Sequence, residues 1–211
     1  MKLIGLSGAQ GAGKSTLLKA LMDKGWTLDQ FRVSRAVQAQ LGWEALDNVM
    51  ESPETMMRFQ EAVFEQKFKN DYALTQRSVT QYEGARAQTR VILTERTFAD
   101  VDAYTTQWTW RFVDQGKMST FDAMIFLSKF HKKCIEAQLQ CYAGTLMLPF
   151  MKHVAWEDDP NRAAKNDVAA IYEHIERYMD ARDFISHPKL VITAKSVDDR
   201  VGQTEQFLES I

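Results

Sequence analysis

Residues 8–16 read Gly8-Ala9-Gln10-Gly11-Ala12-Gly13-Lys14-Ser15-Thr16, and the organisation of the whole chain follows from them. The stretch matches G-x-x-x-x-G-K-[ST], a loop built to hold a polyphosphate. A triphosphate tail packs many anionic oxygens into a small volume. Backbone N–H groups at a helix start surround such a tail, and the helix dipole favours its charge. Gly8, Gly11 and Gly13 let the chain turn tightly and approach the phosphates without side-chain clashes. In this reading Lys14 reaches the β- and γ-phosphates and the Ser15 hydroxyl ligates Mg²⁺.

The flanks agree with that role. Residues 2–7 are a mostly apolar run leading into the glycine cluster, the pattern of a buried strand. Residues 14–24 carry Leu17, Leu18 and Leu21 at helical spacing and stop at Gly25. Further along, 26–33 reads as a second strand and 34–41 as a short helix ending at Gly42. Ser52-Pro53-Glu54 starts a helix expected to run to about 83, with Met56, Phe59, Val63, Phe64, Phe68 and Tyr72 as an apolar stripe. Residues 90–95 are expected to be strand three, and 121–128 strand four. A capping box at Thr97 to Asp100 opens a helix to about 115 between those two strands. Residues 129–142 and 164–185 read as helices, 189–194 as strand five, and a last helix opens at Ser196 and runs through Phe207. Strands alternating with helices imply a three-layer α/β fold of about five mostly parallel strands covered on both faces.

Composition fits one domain over residues 1–211, with an irregular, lid-like segment at about 143–166. Hydrophobic residues make up 45 % and charged residues 26 %, so the chain buries a full core without metals or disulfides. The net charge is −2, which leaves no global basic excess for nucleic acid. Cys134 and Cys141 lie too far apart along a helix to pair, and read as reduced thiols of a cytoplasmic protein. No apolar run is long enough to span a membrane.

A second constellation, Glu95-Arg96, closes strand three. Ligands of parallel sheets bind beyond the carboxyl ends of the strands, so both residues are expected beside the phosphate loop. There Glu95 supports Mg²⁺ or takes a proton from an acceptor, and Arg96 steadies phosphate charge; the alternative is a local ion pair. Arg162, in the irregular stretch, is the candidate lid arginine. Arg32, Ser34, Arg35 and Asp100 are the candidates for contact with the acceptor. Lys129, His131, Lys132 and Lys133, with Arg77, Arg86 and Arg90, are the candidate basic groove should the acceptor be part of DNA. His131, His153, His174 and His187 show no metal-ligand spacing.

With these residues placed, the chain resembles the P-loop nucleoside and nucleotide kinases, the superfamily of thymidylate kinase, the deoxyribonucleoside kinases and the nicotinamide-riboside kinase type. The phosphate loop and Leu93-Thr94-Glu95-Arg96-Thr97 carry the resemblance. It implies a P-loop NTPase fold, ATP and Mg²⁺ as cofactors, and γ-phosphoryl transfer to a nucleoside, a nucleotide or a related base. Two departures stand out. Ser34-Arg35 replaces the Glu-Pro pair that follows strand two in deoxyribonucleoside kinases, and the multi-arginine lid of thymidylate kinases is missing. The chain is also similar in size and phosphate loop to small kinases, seen especially in bacteriophages, that phosphorylate hydroxymethyluracil within DNA. An NTP-driven switch or partner-coupled ATPase is the reading from another class.

Overall fold

The computed structural model describes residues 1–29, 31–43, 46–77, 90–149 and 165–211. Five strands, β1 (Lys2–Ser7), β2 (Thr27–Asp29), β3 (Val91–Glu95), β4 (Gly144–Met147) and β5 (Lys189–Val191), form one sheet in the order β2-β3-β1-β4-β5. Every pairing is parallel. The central strand β1 aligns Leu6 with Glu95 of β3 and Ser7 with Met147 of β4.

Strand alternation sorts the core into two. Ile4 and Leu6 of β1 and Val91 and Leu93 of β3 face α1 (Lys14–Asp23) and α7 (Val197–Ser210), where they meet Leu17, Leu21, Val201 and Leu208. Leu3 and Ile92 face the opposite way, into the cluster holding Phe59, Phe98 and Phe130. That side is built by α2 (Val33–Leu41), α3 (Pro53–Thr75), α4 (Phe98–Asp114), α5 (Thr120–Cys141) and α6 (Lys165–Met179). The three-layer α/β architecture expected from the alternation is therefore the observed one.

The fourth strand is not where the sequence reading puts it. Residues 121–128 lie in α5, and the helix continues without a break through the segment read as a separate helix. Ser119 caps it: the hydroxyl accepts from the Asp122 amide at 3.1 Å and donates to the Asp122 carboxylate at 2.6 Å. A short apolar run does not by itself separate a buried strand from a helix, and here the Ser119/Asp122 cap decides. The true β4, Gly144–Met147, falls at the start of the segment read as a lid and is buried along its whole length. Residues 150–164, the remainder of that segment up to the first turn of α6, lie outside the described residues, and Arg162 with them.

Smaller differences concern ends. The helix begun by Ser52-Pro53 stops at Thr75, and β2 and β5 are three residues each. Cys134 and Cys141 are free and buried, and burial pushes the Cys141 thiol up to about 12. No described helix is long and apolar enough to cross a membrane.

Candidate active site

The phosphate loop leaves β1 at Ser7 and enters α1 at Lys14. Gly8, Gly11 and Gly13 all have positive φ, at 149°, 80° and 87°. At Gly8 a β-carbon would stand 2.6 Å from the carbonyl oxygen of Leu148, so both conformation and space demand glycine. Gly13 is the N-cap of α1 and supplies no side-chain cap, and the first turn of α1 holds no acidic residue. The N–H groups and positive dipole end of α1 are thus left for an external anion. Ser15 and Thr16 are exposed on that turn, Ala9 and Ala12 are buried, and Gln10 is half-buried.

Lys14 is 5 % exposed. Its ammonium donates to the carbonyls of Gly8 at 2.5 Å and Ala9 at 2.9 Å, so it lies folded back on its own loop. Burial, and after it the charge of Arg96, lowers its pKa to about 8 against the opposing pull of Asp100 and Glu95.

Glu95 and Arg96 stand beside this loop, as expected. Leu6, the partner of Glu95, accepts from the Arg96 amide at 2.9 Å. Arg96 has φ 65°, the one non-glycine residue with positive φ among those described. Such backbone is rare outside glycine and persists where surrounding structure enforces it. The guanidinium sits 4.8 Å above the Tyr104 ring and 4.0 Å from the Asp100 carboxylate. Glu95 is half-buried, and its carboxylate has no side-chain hydrogen bond or ion pair among the described residues.

Asp100 closes the capping box read at Thr97 to Asp100, and the same carboxylate also holds the phosphate loop. It is fully buried, and its carboxylate accepts from the Gly8 amide at 3.2 Å, the Thr97 amide at 2.8 Å and the Thr97 hydroxyl at 3.1 Å. With its capacity used in this way it fastens the loop to α4 and is not open to an acceptor. Arg32 and Arg35 are exposed around the start of α2, and Ser34 is half-buried between them. The basic cluster on α5 is divided. His131 bonds Asp102, and Lys133 pairs with Glu61 and lies over the rings of Phe64 and Phe130. Lys129 and Lys132 are exposed on α5, and Arg77 and Arg90 are exposed elsewhere on the chain. Arg86 and His153 lie outside the described residues.

Three features escaped the sequence reading. Asp29 ends β2 and accepts from Asn70 at 2.8 Å, from Thr94 at 3.4 Å and from the Phe31 amide at 3.3 Å. Arg200, on α7, reaches Gly13 across the fold. A run of aromatic rings leads away from Arg96: Tyr104 to Trp108 at 6.1 Å, Trp108 to Phe59 at 6.4 Å and Phe59 to Trp43 at 5.6 Å. Only the position of Asp29 at the end of a strand offered a signal; the other two depend on packing between distant elements.

The residues fit a nucleotide with a divalent cation. The loop has room only for glycine at position 8, the start of α1 has no internal anion, and the exposed Ser15 hydroxyl and the Glu95 carboxylate are hard oxygen donors suited to Mg²⁺. No cluster of three or more metal-ligating side chains occurs among the described residues, so a cation here would take most of its ligands from phosphate and water.

A family model described as AAA domain (AAA_28) matches residues 3–200. Among solved structures, a deoxyadenosine kinase from M. mycoides with dCMP and dCDP superposes with a TM-score of 0.62 at 14 % identity, covering 99 % of this chain and 100 % of that one. NadR protein in complex with NR gives 0.62 at 11 % identity, covering 99 % of this chain and 52 % of that one. Thymidylate kinase from Candida albicans gives 0.55 at 15 % identity, covering 99 % and 91 %. At such identities these likenesses establish the P-loop kinase fold. No curated protein matches the chain significantly.

Proposed function

The chain belongs to the AAA domain family, and we propose that it is an ATP-dependent phosphotransferase acting on a nucleoside, a nucleotide or a related base. The observation that carries this reading is the juxtaposition of an uncapped α1 N-terminus, a buried Lys14 turned back on its own loop, and Glu95-Arg96 on the adjoining strand. Phosphoryl transfer asks mainly for positioning and charge stabilisation, and these are groups for both.

In this reading the loop amides and Lys14 hold the donor phosphates. Ser15, with Glu95 in support, would hold Mg²⁺, whose chemistry there would be neutralisation of phosphate charge. Glu95 accepts a proton from the acceptor hydroxyl, and Arg96, with Arg162 as the candidate lid arginine, stabilises the transferring charge. The Tyr104 ring, 4.8 Å from the Arg96 guanidinium, supports this role. The aromatic run from Tyr104 to Trp43 supports a planar acceptor, since ring faces stack on bases. The named neighbours, among them a deoxyadenosine kinase and a thymidylate kinase, are consistent with that class. Arg32, Ser34 and Arg35 remain candidates for an acceptor phosphate.

A second reading keeps the chemistry and places the acceptor, a hydroxymethylated pyrimidine, within DNA. Exposed Lys129 and Lys132 favour it, whereas His131 and Lys133 are engaged within the fold. The deciding experiment offers labelled ATP and Mg²⁺ with nucleosides, nucleoside monophosphates, and duplex DNA with and without hydroxymethylated pyrimidines, using Lys14→Ala as control. Label on a small acceptor supports the leading reading. Label only on modified DNA replaces it with the second. Phosphate release that needs Lys14 but labels nothing points to an ATPase or switch.

A further inference from the structure

We propose that the cavity between α4, α5 and α6 is a second ligand site, which takes a small oxyanion, phosphate or carboxylate, that also carries a hydroxyl or amino donor. None of its lining residues belongs to the phosphate loop or to β3, so the inference does not rest on the reading of that loop.

The cavity measures about 440 Å³ and opens to solvent, a size that suits a small molecule. Three helices line it: α4 with Asp102, α5 with Ser128 and His131, and α6 with His174, Arg177 and Tyr178. Burial grades from floor to rim. Asp102 and Tyr178 are buried, the two imidazoles are half-buried, and Ser128 and Arg177 are exposed. His131 ties the three helices together. Its Nδ1 lies 3.0 Å from the Asp102 carboxylate, and its ring stands edge-on to Tyr178 at 5.2 Å.

The floor is left incomplete. Asp102 is 6 % exposed and Tyr178 3 %, yet Asp102 Oδ1 and the Tyr178 hydroxyl have no hydrogen-bond partner among the described residues. Buried polar atoms are nearly always paired, because they have given up water and must recover its hydrogen bonds elsewhere. Two such atoms on residues of one cavity wall call for a hydroxyl or amino group. The rim has the opposite character. Arg177 pairs with Glu173 at 3.3 Å, both side chains largely exposed, and the rest of its guanidinium fork suits an oxyanion. The hydrogen bond to Asp102, against the pull of burial and with the added charges of Asp102 and Asp183, raises the His131 pKa and favours the imidazolium. That imidazolium offsets the Asp102 charge, so the carboxylate beneath it does not repel an anion at the rim. Donor at the floor and anion at the rim fix the orientation of one small molecule.

The test reads the imidazoles directly. Protein with ¹⁵N-labelled histidine is titrated at fixed pH with inorganic phosphate, ribose 5-phosphate and aspartate, and the ring signals are followed by NMR. His131→Gln and His174→Gln assign the signals. His187, bonded to Thr145 outside the cavity, is the control. Saturable shifts of His131 and His174, with His187 still, are expected for ribose 5-phosphate or aspartate, at about tenfold higher affinity than for inorganic phosphate, which lacks the donor group. The two larger probes distinguish a phosphate ligand from a carboxylate one. Arg177→Ala should weaken binding about tenfold. Tyr178→Phe should weaken the larger probe and leave inorganic phosphate unchanged. Both variants should fold, since Arg177 is exposed and phenylalanine keeps the ring of Tyr178. No saturable shift with any probe, equal affinity for all three, or shifts that neither variant changes would overturn the proposal. Shifts that vanish in Lys14→Ala would overturn it too, because they would be relayed from the phosphate loop.

Discussion

The Asp100 carboxylate accepts a hydrogen bond from the Gly8 amide at 3.2 Å, which fastens the first residue of the phosphate loop to the first turn of α4. The same carboxylate closes the capping box with Thr97. Arg96, immediately before Thr97, is thereby fixed relative to the loop from both sides, through the sheet at Leu6 and through α4. Asp100→Ala leaves the Gly8 and Thr97 amides without their partner inside the fold. We expect a loss of about 2–4 kcal/mol, with Asp100→Asn intermediate. Urea unfolding measures it, and a change within about 0.5 kcal/mol would show that the tie contributes little.

The pKa of Lys14, lowered to about 8, has a sign that can be tested. An unfolded lysine titrates at about 10.4, so between these values the unfolded chain binds more protons than the folded one. Stability of the nucleotide-free protein should gain from this group as pH rises from about 8 to about 10, and Lys14→Met should lack that component. Phosphates raise the pKa again, so nucleotide binding above pH 8 should take up a proton. Calorimetry in buffers of different ionisation enthalpy reads the uptake directly. Binding without it would separate Lys14 from the phosphates.

His131 titrates in the opposite sense. Its Nδ1 lies 3.0 Å from the Asp102 carboxylate, and that hydrogen bond raises its pKa while burial works against the rise. A raised value means stability fully present below the unfolded value of about 6.5 and lost as pH climbs through the folded one. The imidazole is about half exposed, so solvent screens the effect and the slope should be shallow. His131→Gln should flatten the stability profile between about pH 6 and 8. An unchanged profile of urea midpoint against pH would rule out a contribution from the pair.

Two glycines make an internal control. Gly8→Ala meets a φ of 149° and the Leu148 carbonyl at 2.6 Å, and should destabilise by well over about 1 kcal/mol. Gly202 lies within α7, and a β-carbon there meets nothing within 4 Å. Gly202→Ala should stabilise by about 0.5–1 kcal/mol. Parallel thermal melts decide both, and a destabilising Gly202→Ala would show that α7 depends on that gap.

The sequence by itself determined the phosphate loop, the parallel α/β order and the place of Glu95-Arg96, because each is a local matter. Glycines fix the turn, capping residues open the helices, and the end of a β-strand in a parallel sheet lies at the ligand edge. It misassigned residues 121–128 because a short apolar run satisfies either a buried strand or one face of a helix. The Ser119 cap goes with the helix, and Phe121, Met124 and Ile125 are exposed on it instead of buried in a sheet. The places of Asp100 and Arg200 were decided only in three dimensions. Asp100 reads as a helix cap in sequence, yet 92 residues separate it from the Gly8 amide it also binds. Arg200 reads as a surface-helix charge until α7 packs on α1 and brings its guanidinium against Gly13. Contacts between segments distant along the chain carry no local pattern, so only the packing of α4 and α7 around β1 and its loop reveals them.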